Sequence, residues 1–485
     1  MLAFYGIHRF FLAMLYLKTR RRRPERPPDP EEWPVVTVQL PLYNEMYVAE
    51  RLIDAVCRLD YPRHRLEVQV LDDSTDETTA IVAAAVARYR ELGVDVHHLH
   101  RADRTGFKAG ALAAGLARAR GGLVAIFDAD FVPRPDFLKQ AVPWFADPSL
   151  GLVQGCWTHI NRAYSFLTRI EAILLDGHFT IEHTARNRSG CFFNFNGTAG
   201  VWRRQAIESA GGWEHDTLTE DLDLSYRAQL AGWRFLYIPE LDVPSELPVD
   251  INGFKSQQHR WAKGAVQTGR KLLVRVLRAP LPFRVKLEAF VHLTNNVSYP
   301  LMVLLAVLIF PAMLLRRGTS MVALLLIDLP LFLAATASVL VFYTLSQRAA
   351  RGAGWRKEIP YLPALMGLGI GLSVNNGRAV ISGLLRRGGV FHRTPKYKIE
   401  QRGQDWLGKR YRAGRTPSLW AEILLALYFA GCTVYAAASG MWMSIPFLLL
   451  FLHGYSYMAW LGLLPALSER WARVFSGHAN FFISR

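Results

Sequence analysis

The feature that most restricts the fold of this chain is a set of long apolar runs in its C-terminal part. Residues 423–467 contain no Asp, Glu, Lys or Arg, and neither do residues 297–315. An apolar helix of about 20 residues crosses roughly 30 Å of hydrocarbon. We therefore expect an α-helical membrane domain over residues 281–485, with spans near 297–315, 321–345, 423–438 and 441–467.

The start of the chain predicts one more membrane helix. Residues 1–17 are apolar apart from His8 and Arg9, and the arginine run 20–23 follows them. A signal peptide carries its positive charge before the apolar stretch, so residues 1–23 fit a span with a basic flank instead. Because Arg and Lys collect on the cytosolic side of a membrane, this flank places the next domain in the cytosol.

The charge bias also predicts the course of the chain between the later spans. Residues 346–358 are basic, and residues 386–416 contain ten Arg or Lys against two acids, so both segments should be cytosolic. The apolar stretch 361–385 between them should then lie along the membrane interface or re-enter the bilayer. A single crossing by 361–385, with the basic loop outside, remains the alternative because charge bias is an imperfect guide.

Composition narrows the class of protein. The net charge is +17, and the basic residues cluster beside the apolar runs. That placement favours a membrane surface and phosphate-bearing substrates, and it gives no reason to expect a nucleic-acid partner. The cysteines are scattered without a CxxC pair, so we expect neither a zinc site nor a disulfide framework: Cys57, Cys156, Cys191 and Cys432. A reducing, cytosolic domain is consistent with this pattern.

Residues 34–280 have the pattern of a soluble α/β domain. Runs rich in β-branched residues predict strands at 35–42, 66–71, 94–99 and 123–127. Helical periodicity separates these runs, as at 48–56 and from Lys108 onward. Strands that alternate with helices of this length predict a mostly parallel sheet with helices on both faces.

Polar clusters follow three of these predicted strands. They are Tyr43–Glu45, Asp72–Ser74 and Asp128–Asp130. Because ligands of open α/β sheets bind outside the carboxyl ends of the strands, these side chains should meet in one pocket. The chain has neither a GxGxxG turn after the first strand nor a GxxxxGK[ST] loop, which argues against a dinucleotide site or a P-loop.

Asp128 and Asp130 flank one small residue at a predicted strand end. In an extended chain they would project to the same side, where a divalent cation between them would relieve their repulsion. A DxD tripeptide is weak on its own, and a solvated turn with an N-capping aspartate is the plain alternative.

Asp221 opens the helical stretch 222–230, where a carboxylate either favours the helix dipole or takes a proton from an attacking hydroxyl. Spacing does not decide between these two roles. The cluster QQHRW, at 257–261, concentrates hydrogen-bonding groups and an indole shortly before the membrane part. Trp261 alone would also suit a membrane-interface anchor.

Taken together, these motifs resemble those of processive family-2 glycosyltransferases of the cellulose-synthase-like kind. That group includes plant glucomannan and xyloglucan-backbone synthases and related bacterial membrane enzymes. The matching segments are PLYNE (41–45), LDDSTDET (71–78), GFKAGAL (106–112), FDADF (127–131), FNGTAGVWR (195–203), TEDLDLSYR (219–227) and QQHRW (257–261). In addition, FHRTPK (391–396) resembles the gating loop of that family, which would make 386–416 this loop.

The resemblance implies a GT-A catalytic domain that uses a nucleotide diphosphate sugar. It assigns the donor to Tyr43, Glu45, Asp73, Lys108, Asp128, Gln257 and Arg260. Asp128 and Asp130 would hold Mg²⁺ or Mn²⁺, and Asp221 would deprotonate the acceptor. An arginine such as Arg260 neutralises a leaving diphosphate, and an indole such as Trp261 covers the apolar side of an acceptor sugar. The candidate loop contacts are Phe391, Thr394 and Lys396.

The function implied by the resemblance is inverting transfer of a hexose, from UDP-glucose or GDP-mannose, to a growing β-linked glycan that passes through the membrane. Transfer of one sugar to a lipid acceptor is the alternative, although QQHRW is uncommon in such enzymes.

A transporter would need ionisable groups within the spans, where Asp328 and His453 are the main candidates. An Ala- and Arg-rich composition favours a bacterial inner membrane. The chain also departs from the pattern, since Gly155 and Cys156 stand where relatives often carry a basic residue.

Overall fold

The computed structural model of the chain describes residues 1–315, 322, 326, 329–386, 388–391, 393–414 and 416–479, with the backbone alone for 332 and 465–479. Within these residues, seven strands form one sheet: β1 (Val36–Leu42), β2 (Leu66–Asp72), β3 (Val96–His100), β4 (Leu123–Ile126), β5 (Leu150–His159), β6 (Gly200–Arg203) and β7 (Arg234–Ser245). Their order is β3-β2-β1-β4-β6-β5-β7, and only β6 runs antiparallel to its neighbours. The predicted mostly parallel sheet is confirmed.

Helices cover both faces of this sheet. The helices up to the membrane part are α1 (Leu2–Thr19), α2 (Ala49–Cys57), α3 (Thr78–Glu91), α4 (Phe107–Arg118), α5 (Phe137–Ala141), α6 (Phe166–Asp176), α7 (Thr184–Arg188), α8 (Arg204–Ser209), α9 (Glu220–Leu230) and α10 (Ile251–Arg278). Apolar residues of α2 and α3 share one core with Val36, Val38 and Leu40 of β1. Residues of α4, α8 and α9 form a second core on the opposite face. Burial on both faces is typical of a parallel sheet.

The C-terminal part is helical. Its helices are α11 (Phe283–Thr294), α12 (Ser298–Leu315), α13 (Leu329–Phe332), α14 (Ser338–Arg351), α15 (Leu362–Leu385), α16 (Leu419–Ala438) and α17 (Ile445–Ala479). Among the described residues, three helical segments are long and apolar enough to cross a membrane: Phe283–Leu315, Leu419–Ala438 and Trp442–Leu464. They coincide with three of the four predicted C-terminal spans, and they fit the predicted transmembrane domain.

Two other predicted membrane segments are not among these three helices. The segment 321–345 falls partly outside the described residues, which leave out Asp328, and its described part forms α13, a π-helical segment and α14. Helix α1, over the predicted first span, packs against α14, and His8 lies 2.8 Å from a carboxylate oxygen of Glu288. The crossing of the membrane by these two segments stays a prediction.

Helix α15 corresponds to the predicted interfacial segment 361–385. It packs against α10, α12 and α17, and most of its side chains are buried, including Ser373 and Asn376. The helix therefore connects the α/β domain to the apolar helices. Its position relative to a bilayer stays a prediction, as do the boundaries 34–280 and 281–485 of the two domains.

The basic loop after α15 packs over the carboxyl end of the sheet. Arg51 of α2 pairs with Glu400 of the loop at 2.7 Å, and the backbone N–H of Tyr397 donates to Glu246 at 2.8 Å. The hydroxyl of Tyr411 also bonds to Asp76, two residues before α3. These contacts bring a segment distant in sequence to the edge where the polar clusters end their strands.

Candidate active site

A cavity lies at the carboxyl ends of β1, β2 and β4, bounded on the other side by α10 and the basic loop. All of the side chains predicted for the site line it: Tyr43, Glu45, Asp73, Lys108, Asp128, Asp130, Asp221, Gln257, Arg260, Trp261, Phe391, Thr394 and Lys396. The predicted convergence of the strand-end clusters therefore matches the geometry.

Asp128 lies just beyond β4 and is held by the chain around Thr198. The Asp128 backbone N–H donates to the Thr198 hydroxyl at 2.9 Å. The Lys108 ammonium bonds to the Asp128 carboxylate and donates to the carbonyl oxygen of Gly197 at 2.8 Å. Burial raises the pKa of Asp128, although the neighbouring ammonium acts in the opposite direction.

Asp130 faces the same cavity, but for a different reason than extended-chain geometry predicts. Strand β4 ends at Ile126, and the chain then turns, with the Phe131 N–H donating to the Asp128 carbonyl at 3.0 Å. The expectation that Asp128 and Asp130 align on one side of a strand is therefore wrong in its reasoning. The Lys396 ammonium of the basic loop donates to Asp130 and to the Glu246 carbonyl, each at 2.7 Å.

Asp221 stands in the first turn of α9. Thr219 occupies the N-cap position, but its hydroxyl bonds to Thr268 at 3.3 Å and makes no cap. A Cβ added to Gly197, which has a φ of +81°, would lie 3.1 Å from the Asp221 carboxylate and 3.3 Å from the Lys108 nitrogen. A glycine is therefore needed where this backbone passes between the two charged groups.

Burial and the adjacent Glu220 charge raise the pKa of Asp221 to about 7, although Lys108 acts against them. A carboxylate with this pKa exchanges protons near neutral pH. Burial likewise raises the pKa of Glu45 to about 7, although the Arg393 guanidinium, 3.5 Å away, lowers it. Two carboxyl groups of the cavity are thus poised to change charge in the physiological range.

The opposite side of the cavity is formed by α10 and the basic loop. Gln257, Arg260 and Trp261 lie within about one turn of α10. The Arg260 guanidinium lies 4.3 Å from the ring centroid of Phe391, and that ring stacks on Phe107 at 6.1 Å. Burial lowers the pKa of Arg260, and the nearby carboxylates partly offset this effect.

The pocket edge around β1 and β2 combines an aromatic ring with paired charges. The Arg104 guanidinium lies 3.4 Å from the Tyr43 ring centroid, which is a cation–π contact. Asp73 accepts two hydrogen bonds from Arg101, at 2.8 and 2.6 Å. Arg101 therefore fixes the direction in which the Asp73 carboxylate faces the cavity.

Sequence reasoning missed several residues of the cavity: Arg104, Trp157, Asn196, Gly197 and Arg393. Asn196 and Gly197 lie inside the segment FNGTAGVWR, and Arg393 lies inside FHRTPK. The motifs therefore included these residues, but no role was predicted for them. Arg104 follows β3 in a short loop whose composition carries no signal. Only the fold brings it onto Tyr43.

Two family models match the chain. "Glycosyl transferase family 2" matches residues 37–208, and "Glycosyl transferase family group 2" matches residues 123–343. Together they cover the cavity up to α10 and continue into the apolar helices. Among solved structures, the mannosyltransferase PcManGT from Pyrobaculum calidifontis, in complex with GDP-Man and Mn²⁺, has a TM-score of 0.52. It is 24% identical, covers 79% of this chain and 99% of its own, and shares the fold.

The chain is also similar to plant enzymes. Glucomannan 4-beta-mannosyltransferase 7 of Arabidopsis thaliana is 42% identical over 55% of this chain and 51% of its own length. Glucomannan 4-beta-mannosyltransferase 2 of the same plant is 45% identical over 51% and 47%, and glucomannan 4-beta-mannosyltransferase 1 of Oryza sativa subsp. japonica is 42% identical over 56% of each. The chain thus spans about half the length of these relatives.

These relatives come from plants, so the comparisons do not bear out the prediction of a bacterial inner membrane. The predicted resemblance itself is confirmed. The overlapping family matches and the plant relatives agree with the order of the motifs and with the GT-A-like sheet. Residues 37–343 therefore match family-2 glycosyltransferases, and the chain is similar to the cellulose-synthase-like members of that family.

Proposed function

We propose that this chain is a membrane-bound glycosyltransferase that transfers a hexose from a nucleotide diphosphate sugar to the end of a β-linked glycan. One observation carries the proposal. A single cavity combines carboxylates at the strand ends with cations from α10 and the loop, and it includes Asp221, whose pKa is about 7. A diphosphate needs cations, and an acceptor hydroxyl needs a base, so the cavity offers both kinds of group.

The residues that would hold a divalent cation are Asp128 and Asp130. The ammonium groups of Lys108 and Lys396 now neutralise these two carboxylates, and the ion would take the place of Lys396. Oxygen ligands of this kind suit Mg²⁺ or Mn²⁺. When bound there, the ion would neutralise the diphosphate of the donor. Lys396 would first have to leave Asp130, which links metal binding to movement of the basic loop.

Asp221 is the proposed catalytic base. It takes the proton of the acceptor hydroxyl as that oxygen bonds to the anomeric carbon of the donor sugar. The bond from this carbon to the diphosphate oxygen breaks in the same displacement, so the configuration at the carbon inverts. The raised pKa of Asp221 suits a group that must accept a proton at neutral pH and release it again.

The cations around the cavity would receive the leaving diphosphate. Arg260 and Lys108 lie on opposite sides of it, and the charges of Asp128 and Asp221 act on both. Donors already in place before the reaction stabilise developing charge without reorganisation. Gln257 and the loop residues Phe391, Thr394 and Arg393 would close this side over the nucleotide. Tyr43, Glu45 and Asp73 would contact its base or ribose.

Buried polar groups near Lys396 support an acceptor path toward the membrane helices. Neither carboxylate oxygen of buried Glu171 has a hydrogen-bond partner among the described residues, and the same holds for both ring nitrogens of His159. Burial raises the pKa of Glu171 far above its ordinary value, although Lys396 acts against this. Buried polar atoms are nearly always hydrogen-bonded, so these groups need a partner that sugar hydroxyls can supply.

Buried polar side chains also lie between the apolar helices. The Lys255 ammonium and Glu422 of α16 form a fully buried pair at 2.6 Å, and Ser373 of α15 bonds to Tyr455 of α17 at 3.1 Å. Polar groups between apolar helices are costly and commonly line a route for a polar substrate. They support passage of the glycan across the membrane from a cytosolic catalytic domain.

The names of the plant relatives favour a mannosyl donor, with a 4-beta-mannosyl product. The test is product analysis with purified protein in liposomes, Mn²⁺ or Mg²⁺, and GDP-mannose or UDP-glucose in turn. We expect a β-linked polymer from GDP-mannose. A single glycolipid product would favour transfer to a lipid acceptor, and no sugar transfer from either donor would contradict the proposal.

A further inference from the structure

A cluster of side chains of the types that bind metal ions lies apart from Asp128 and Asp130. It is formed by Asp72, at the end of β2, and by His98 and His100 on the neighbouring strand β3. Asp72 pairs with His100 in the parallel register of these strands, and residues two apart on a strand face the same side. The sheet therefore places all three side chains on one face of its edge.

The distances between their ligand atoms suit a single metal ion. Oδ2 of Asp72 lies 3.0 Å from Nε2 of His98 and 3.1 Å from Nδ1 of His100. The other carboxylate oxygen accepts the Ser74 N–H at 2.9 Å, which fixes the direction of the carboxylate. Ligand bonds of about 2.0–2.2 Å to an ion such as Zn²⁺ leave neighbouring ligand atoms roughly this far apart.

Exposure of the cluster leaves room for further ligands. The Asp72 side chain is 0% exposed, whereas His98 is 17% and His100 is 43% exposed. A metal ion there would be anchored by a buried carboxylate and open to water on the outer side. Its remaining coordination positions would be filled by solvent, as in sites with three protein ligands.

A comparison within the chain shows that not every such cluster is available. Glu214, Asp216 and Asp223 also lie close together, but the Lys271 ammonium contacts all three, at 2.5, 2.8 and 3.0 Å. That cluster already holds its cation. No Lys or Arg pairs with Asp72 among the described residues, where its carboxylate bonds to the two imidazoles, to the backbone and hydroxyl of Ser74 and to the Thr79 hydroxyl.

We propose that Asp72, His98 and His100 form a binding site for a transition-metal ion of the Zn²⁺ or Co²⁺ class. Two imidazoles and one carboxylate favour such an ion over Mg²⁺, which prefers oxygen ligands alone. The site adjoins the cavity, because Asp73 and Arg101 follow Asp72 and His100 in the chain and pair with each other. Its occupancy would hold that pair in place at the cavity edge.

The test is titration of untagged, full-length protein in detergent after removal of metals by chelation. Co²⁺ binding is followed by its visible absorption, and Zn²⁺ by competition with a chromophoric chelator. We expect one Zn²⁺ equivalent in the parent protein and a loss of affinity above about 100-fold in a His98→Ala, His100→Ala double variant. That exceeds the roughly 10–100-fold cost of losing a supporting partner outside the ligand set.

Two control variants separate this site from other sources of binding. His97→Ala removes an imidazole from the same strand, one that pairs with Asp95 at 2.8 Å, and should leave Zn²⁺ affinity unchanged. Asp128→Asn with Asp130→Asn should also leave it unchanged, so this test is independent of the proposed catalytic metal. The single variant His100→Ala, at a half-exposed position, covers the case in which the double variant does not fold. Zn²⁺ stoichiometry and affinity equal to those of the parent in the His98→Ala, His100→Ala double variant and in His100→Ala would overturn the proposal. The absence of Zn²⁺ binding in the parent would do the same.

Discussion

The two sides of the cavity differ in charge and in origin. The strand-end side is acidic, and most of its groups, such as Asp73 and Asp128, follow short strands of one sheet. The opposite side is basic and comes from α10 and the loop after α15, with Arg260 and Lys396 as its main cations. Under the proposed function, a metal-bound diphosphate would lie between the two sides, so neither side should suffice alone.

The acidic side should show the largest effect of a single substitution. Asp221→Asn keeps the shape of the side chain but removes the proposed base, so we expect transfer to fall about 10²- to 10⁴-fold. Donor binding should stay measurable, since the asparagine is neutral and the cavity keeps its cations. Sugar transfer from the nucleotide donor is the measurement, with Asp216→Asn, an exposed acid outside the cavity, as the control. Transfer within tenfold of the parent would exclude Asp221 as the base.

A substitution on the basic side should have the next largest effect on sugar transfer. Arg260→Ala removes the guanidinium that would receive the leaving diphosphate, and we expect kcat to fall about 10²- to 10³-fold. Arg275→Ala, an exposed position on the same helix, serves as the matched control. Initial rates at saturating donor measure the effect. An equal loss in both variants would show that the change acts through α10 as a whole and not through the cavity.

Substitution of Lys396, with Lys398 as its control, tests whether a lysine of the basic loop competes with a metal ion. Lys396 competes with a metal ion for Asp130, so Lys396→Ala should tighten Mn²⁺ binding about tenfold in the absence of donor, because a nearby opposite charge is worth 1–3 pKa units. A Mn²⁺ titration monitored by electron paramagnetic resonance measures this affinity. Lys398→Ala, exposed on the same loop, should change nothing. Weaker Mn²⁺ binding in Lys396→Ala would contradict the competition.

Trp261 tests the acceptor end of the cavity. Trp261→Ala should reduce elongation of the glycan about tenfold, since stacking of an aromatic ring on an apolar face contributes roughly 0.5–1.5 kcal/mol beyond its buried area. Hydrolysis of the donor by water should change much less. The ratio of polymer to free sugar measures this. Equal losses in both reactions would indicate that Trp261 supports the fold rather than the acceptor.

The smallest effect concerns stability. Folding raises the pKa of Glu45 from 4.5 to about 7, so the fold disfavours its charged form and loses stability as the pH rises from about 4.5 to about 7. Glu45→Gln removes this loss, and the apparent melting temperature should rise by about 2–4 °C at pH 8 and by less at pH 5. Thermal unfolding at the two pH values measures the difference. A larger gain at pH 5 would contradict the assigned cause.

The acidic side was the easier one to predict. Parallel strands end at one edge, so the positions of Glu45, Asp73 and Asp128 follow from local patterns in the sequence. The alignment of Asp130 depends on a turn after Ile126 that the pattern does not specify. The basic side depends on contacts between segments far apart in the chain, such as Lys396 with Asp130, and only the resemblance to a family indicated them.

The most direct test of the account is calorimetric titration with GDP in the presence and absence of Mn²⁺. The parent protein should bind the nucleotide in a metal-dependent manner. Most of that dependence should be lost in two variants: the double variant Asp128→Asn, Asp130→Asn and the single variant Arg260→Ala. Each variant changes one side of the cavity. Metal-independent binding with the same affinity in the parent and both variants would contradict the central claim that the two sides close around one ligand.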